Sequence, residues 1–87
     1  MASQRIGVVT HYYDRIRVAV ITLKGMIRVG DRVQFLGRNT DFEQQVTSLQ
    51  IEHEYIGEAG AGQEVALKVV ERVRPNDGVY KLAGEEK

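Results

Sequence analysis

Lys24-Gly25-Met26-Ile27-Arg28-Val29-Gly30-Asp31-Arg32-Val33-Gln34-Phe35 is the stretch that decides the fold. A β-branched run ends before it and a new apolar alternation begins inside it. Two glycines lie between, and Asp31 follows the second. Gly30 can take a positive φ, and the Asp31 carboxylate can bond back to turn backbone. The segment reads as a connection between strands. We expect special backbone geometry at Gly30 and an Asp31 bond within the turn.

Strand signals extend on both sides. Upstream, Ile16 to Leu23 alternates Ile16, Val18 and Val20 with Ala19, Ile21 and Leu23. Both faces are apolar, which points to a central or doubly covered strand. Before it, Arg5 to Tyr13 is β-branched and aromatic, with Ile6, Val8, Thr10 and Tyr12 on one face and Val9, His11 and Tyr13 on the other. Downstream, Arg32 to Leu36 alternates around Val33 and Phe35 and ends at Gly37. Phe42 to Tyr55 changes phase at Thr47-Ser48, the pattern of a bulge or of a strand bending between sheets. Gly57 to Gly62 reads as a glycine-rich turn, Gln63 to Val70 as a strand, and Arg74-Pro75-Asn76-Asp77-Gly78 as a turn before a last strand, Val79 to Leu82. Ala83 to Lys87 reads as a frayed tail. No window holds a capped 3.6-residue apolar period, and Thr47 to Tyr55 is the nearest helical candidate. Six short strands at roughly regular spacing predict an all-β sandwich or barrel, and a closed barrel is attractive because closure removes exposed edges.

The totals agree with one small domain over residues 1–87, its ordered core spanning about 5–83. A chain of 87 residues buries roughly 60–65% of its unfolded surface. No apolar run approaches the ~20 residues of a membrane span, and the N-terminal residues lack a signal-peptide apolar region. The expected location is cytoplasmic, with no membrane partner. Absence of cysteine removes disulfides, thiol catalysis and zinc–thiolate sites together. Net charge is zero, but residues 1–43 hold seven basic and four acidic side chains, +3, and residues 44–87 hold five basic and eight acidic, −3. A general polyanion binder is usually far more basic, which leaves room only for a local basic face.

With the strands in order, Gly7-Val8-Val9-Thr10-His11-Tyr12, Val18-Ala19-Val20-Ile21, Val29-Gly30-Asp31-Arg32-Val33 and Ala59-Gly60-Ala61-Gly62-Gln63-Glu64-Val65-Ala66-Leu67 together resemble the second domain of translational GTPases such as elongation factor Tu. The likeness covers about Ile6 to Leu82. It is closest to small stand-alone translation elongation factor-like proteins and to the β-barrel appended to some collagenase-like peptidases. It implies a closed six- to seven-stranded antiparallel Greek-key barrel. It also implies no nucleotide hydrolysis, since the GTPase domain is absent, and a possible RNA or ribosome-associated partner.

Several constellations hold residue types that can carry chemistry. Gly57 and Gly62 have P-loop spacing, but Gln63 and Glu64 stand where the motif needs Lys and Ser/Thr, and turn residues account for every glycine. His11 and His53, with Asp41, Glu52 or Glu54, supply metal-ligand types without ligand spacing, and the favoured reading is two half-buried or exposed strand histidines. Ser3 and Ser48 lack a nucleophile frame. Glu52 and Glu54, two apart on a strand, read as a solvated face. No catalytic residue, metal site or cofactor is assigned, and the chain is expected not to be an enzyme.

The cluster with the most chemical content is His11, Tyr12, Tyr13, Arg15 and Arg17, joined by Arg28 and Arg32 if the fold brings them near. Aromatic rings among arginines can stack on bases while guanidiniums meet phosphate. The structural alternative, which the residues favour, puts Tyr12 or Tyr13 in the core and the arginines on a solvated edge. Two functions follow: a non-enzymatic module binding RNA or a ribosome-associated protein, favoured by the resemblance, and a protein-interaction barrel accessory to a peptidase or modifying enzyme.

Overall fold

Three turns built on one plan set the strand directions in the structure, a computed structural model that describes residues 3–82. In Arg28-Val29-Gly30-Asp31 the Asp31 N–H donates to the Arg28 carbonyl at 3.1 Å, and φ at Gly30 is 100°. The Asp31 carboxylate accepts the Arg28 N–H at 2.9 Å. A closing bond with positive φ at the third residue is the type II pattern. Arg74-Pro75-Asn76-Asp77 repeats it, with Asn76 at φ 80° and the Arg74 N–H donating to the Asp77 carboxylate at 2.8 Å. Gly60-Ala61-Gly62-Gln63 repeats it again, with the Gln63 side-chain oxygen accepting the Gly60 N–H at 2.8 Å. Both expectations for Gly30 and Asp31 hold.

The strands are β1 (Ser3–Tyr13), β2 (Val18–Leu23), β3 (Ile27–Arg28), β4 (Arg32–Gly37), β5 (Thr40–Gln45), β6 (Leu49–Ile51), β7 (Glu54–Ile56), β8 (Glu58–Ala59), β9 (Glu64–Lys68) and β10 (Gly78–Leu82). Eight form one antiparallel sheet in the order β5-β4-β10-β1-β2-β9-β6-β7, and β3 pairs with β8. There is no helix among the described residues. The expected tail, Ala83 to Lys87, lies outside them.

The sheet is coiled around a single core, yet its ladder stays open, so the expected closed barrel of six or seven strands is corrected. β5 and β7 remain edges. Where β5 meets the exit of β9, a side chain replaces a ladder: Gln44 donates from Nε2 to the Lys68 carbonyl at 2.8 Å and accepts the Val70 N–H at 2.9 Å. Gln44 is buried, and both its amide atoms are satisfied there.

Residues facing inward explain the coil. Ala19, Ile21 and Leu23 from β2, Val65 and Leu67 from β9, Val33 and Phe35 from β4, and Leu49 from β6 are all buried. Phe35 and Phe42 oppose each other across β4 and β5 with ring centroids 5.1 Å apart. β1 departs from simple alternation. Its register shifts between Arg5 and Gly7 against β10 and between Val9 and His11 against β2. Each bulge moves the inward face by one residue, so Ile6 and Val9 are buried and Tyr12 packs on the core. The expected grouping of Ile6, Val8, Thr10 and Tyr12 on one face is therefore corrected.

Phe42 to Tyr55 is likewise not one bent strand. β5 stops at Gln45, and the backbone of Val46 is tied to Gly30 and Asp31. The chain then crosses to β6 and returns through Glu52-His53 into β7. Both turn residues have positive φ, 51° and 69°, as a type I′ two-residue hairpin requires. His53 and Glu52 are thus turn residues rather than strand residues.

Candidate functional site

β2 carries apolar side chains on both faces, but the sheet covers only one. Val18 and Val20 point outward and stay half-buried. Cross-strand pairing then builds a transverse row over five strands: His11 opposite Val20, Val20 opposite Ala66, Ala66 opposite Gln50, and Gln50 opposite Tyr55. Val18, Val20 and Ala66 floor a groove of about 770 Å³. The turn between β1 and β2 forms one wall, with Tyr13 and Ile16. The β6–β7 hairpin forms the other, with Ile51, His53 and Tyr55. Tyr13, Ile16 and Tyr55 are 51%, 60% and 75% exposed, high values for side chains of this size.

Polar groups line the same groove. Ser48, Gln50 and Gln63 offer amide and hydroxyl groups, and Glu52, Glu64 and Lys68 offer charge. The Thr10 hydroxyl lies 3.3 Å from the Glu64 carboxylate and 3.2 Å from the Val20 carbonyl.

The candidate residues read from the sequence divide into two groups. His11 and Tyr13 lie on the outward face with stacked rings, centroids 6.2 Å apart. Tyr12 turns inward against the core, as the structural alternative had it for one of the two tyrosines. Arg15 and Arg17 are exposed in the turn beside Tyr13; Arg17 has φ 56°, and its carbonyl accepts the Val69 N–H at 2.9 Å. Arg28 and Arg32 are elsewhere. β2 spans about 20 Å at ~3.3 Å per residue, and Arg28 follows its far end. There Arg28 pairs with Glu58 at 3.3 Å, and Arg32 pairs with Glu43 at 3.6 Å. The seven residues thus do not form one basic, aromatic face.

Ile16, Val18, Val20, Ala66 and Tyr55 were missed as a site. The available signal was the outward apolar parity of β2, which marked a covered strand in the sequence and marks an uncovered groove in the fold.

The histidines do not converge. His11 on β1 and the β6–β7 hairpin carrying His53 are separated by β2 and β9, roughly 15–20 Å along the sheet. Among the described residues no three His, Asp or Glu side chains gather as metal ligands.

Comparisons with known proteins bear on the same chain. The model of the family described as peptidase family U32 C-terminal domain matches residues 2–77. An uncharacterized protease of Methanocaldococcus jannaschii is 36% identical over 78 residues, covering 88% of this chain and 19% of that protein. A collagenase of Porphyromonas gingivalis is 29% identical over 83 residues, covering 93% of this chain and 23% of that protein. The chain thus spans about a fifth of the length of the curated relatives it matches. A crystal structure of the C-terminal domain of a Geobacillus thermoleovorans protein assigned to the U32 peptidases superposes with a TM-score of 0.87 at 24% identity. That superposition covers 92% of this chain and 93% of that one and supports the fold alone.

These findings overturn the expected kinship with the second domain of translational GTPases, and with it the expected RNA-binding role. The reason is physical. The quoted pieces, Val29-Gly30-Asp31 and Ala59-Gly60-Ala61-Gly62-Gln63, are turn chemistry, and one turn plan occurs three times within this chain alone. Such pieces specify bends in many small β folds.

Proposed function

The chain belongs to the family of peptidase U32 C-terminal domains, and on that premise we propose that it is a non-catalytic module that holds extended polypeptide for a U32 peptidase. It is an accessory module, and not a translation-factor domain. The observation that carries the binding role is the groove, with Tyr13 and Ile16 on one wall and Tyr55 on the other, exposed above Val18, Val20 and Ala66. Apolar groups gathered around one concavity leave water only when a partner covers them. A polypeptide has the matching chemistry, with amides for Ser48, Gln50 and Gln63 and side chains for the floor. A binding role also fits relatives described as a protease and as a collagenase. The separation of His11 from the hairpin that holds His53 favours binding over acid–base chemistry.

Binding of gelatin to the native chain and to a Tyr13→Ser/Tyr55→Ser variant tests this reading. Both tyrosines are more than half exposed, so the variant keeps its fold. Affinity should fall about tenfold or more. Equal affinity for the variant, or no binding to the native chain, overturns the proposal.

A further inference from the structure

Tyr55 sits at the middle of β7, an edge of the eight-stranded sheet. The two-residue loop Glu52-His53 makes Ile51 and Glu54 the hydrogen-bonded pair beside the turn. Antiparallel pairs alternate, so Gln50 and Tyr55 form a non-hydrogen-bonded pair. The Tyr55 N–H and C=O therefore point away from β6, and neither has a partner among the described residues. Two residues further on, the Gly57 carbonyl accepts the Val29 N–H at 2.9 Å. Arg28 and Ile27 continue that register opposite Glu58 and Ala59. The chain thus already lays one of its own strands along this edge. That strand leaves at Gly30, whose N–H goes to Val46, before it reaches Tyr55.

The other edge is guarded. β5 carries Asp41 and Glu43 on its outer face, and Gln44 ties it to the β9 exit. Around β7 the charge is mostly negative, with Lys68 the one lysine or arginine among the described residues lining the groove. Residues 44–67 contain Glu52, Glu54, Glu58 and Glu64 and no Lys or Arg, and of these only Glu58 is paired with a base among the described residues.

We infer that the free edge of β7 takes an extended, lysine- or arginine-bearing polypeptide segment as an added strand. The inference deepens the groove reading, on which it rests for the partner being a polypeptide. Strand addition supplies main-chain hydrogen bonds at Tyr55, and alternate side chains of the added segment continue the transverse row at the groove rim. The glutamates select for positive charge and against negative charge.

The test uses three short peptides titrated into the full chain, followed by backbone-amide NMR and hydrogen exchange. One alternates lysine with valine, the second is the same peptide N-methylated at each central residue, and the third has glutamate for lysine. The lysine peptide should slow exchange of the Tyr55 amide about tenfold or more. N-methylation should abolish that protection, and the glutamate peptide should bind about tenfold more weakly. If the parent and N-methylated peptides bind alike and shift Tyr13 and Tyr55, strand addition is wrong while the groove reading survives. If no peptide perturbs either residue, both fall. Equal binding of the lysine and glutamate peptides overturns the charge preference.

Discussion

Gln44 and Val70 are joined across the seam of the sheet, with the Val70 N–H donating to the Gln44 side-chain oxygen at 2.9 Å. The same amide donates to the Lys68 carbonyl, so one buried side chain does what a strand ladder does in a closed barrel. Gln44→Leu leaves the part-buried Val70 N–H and Lys68 carbonyl without a protein partner and should destabilise by about 1–3 kcal/mol. The midpoint of chemical denaturation measures it. A loss below about 1 kcal/mol would mean that water or relaxation replaces the amide.

The three turns of one plan differ in burial, and burial ranks their substitutions. Asp77 is buried, whereas Asp31 is partly exposed and also meets Lys81 at 3.3 Å. Asp77→Ala should therefore cost about 2–3 kcal/mol, and Asp31→Ala about 1 kcal/mol after solvent screening. Thermal unfolding of the two variants side by side gives the order, and a reversed order contradicts the shared construction.

Gly30 and Gly37 are needed for different reasons. At Gly30 a Cβ meets nothing within 4 Å, but φ is 100°, so Gly30→Val should cost about 1–3 kcal/mol from backbone strain alone. At Gly37 a Cβ would collide with the Asp77 carboxylate. Gly37→Ala must displace that buried group from its bond to Arg74 and should cost about 2–4 kcal/mol. Combining Gly37→Ala with Asp77→Ala should recover part of the loss, which a double-mutant cycle in urea would read.

Glu52 and His53 hold positive φ without glycine or asparagine. Replacing them with Asn-Gly should stabilise the hairpin by about 1–2 kcal/mol, measured as a raised thermal midpoint. A lowered midpoint would show that these side chains contribute contacts outweighing their strain.

What the sequence disclosed, and what it hid, follows from the same residues. Gly30-Asp31, the parity of β2 and the alternation at Val33 and Phe35 are local signals, and they survive in the structure. The β6–β7 hairpin was hidden because Glu52-His53 lacks the residues that usually mark a two-residue turn. The inward face of β1 was hidden because two bulges shift its parity. The open seam depends on Gln44 meeting Lys68 and Val70 some 24 and 26 residues away, which no local pattern encodes. The groove combines both cases: Val18 and Val20 were visible, while Tyr55 reached them only through the pairings of β9 and β6.

The most direct measurement of the central claim is a map of backbone-amide shifts as gelatin is added to the full chain. The account predicts perturbation at Tyr13, Val18, Val20, Ala66 and Tyr55, with the outer face of β4 and β5 at Arg32, Gln34 and Glu43 unaffected. Shifts confined to that β4–β5 face, or no shifts at saturating gelatin, would contradict it.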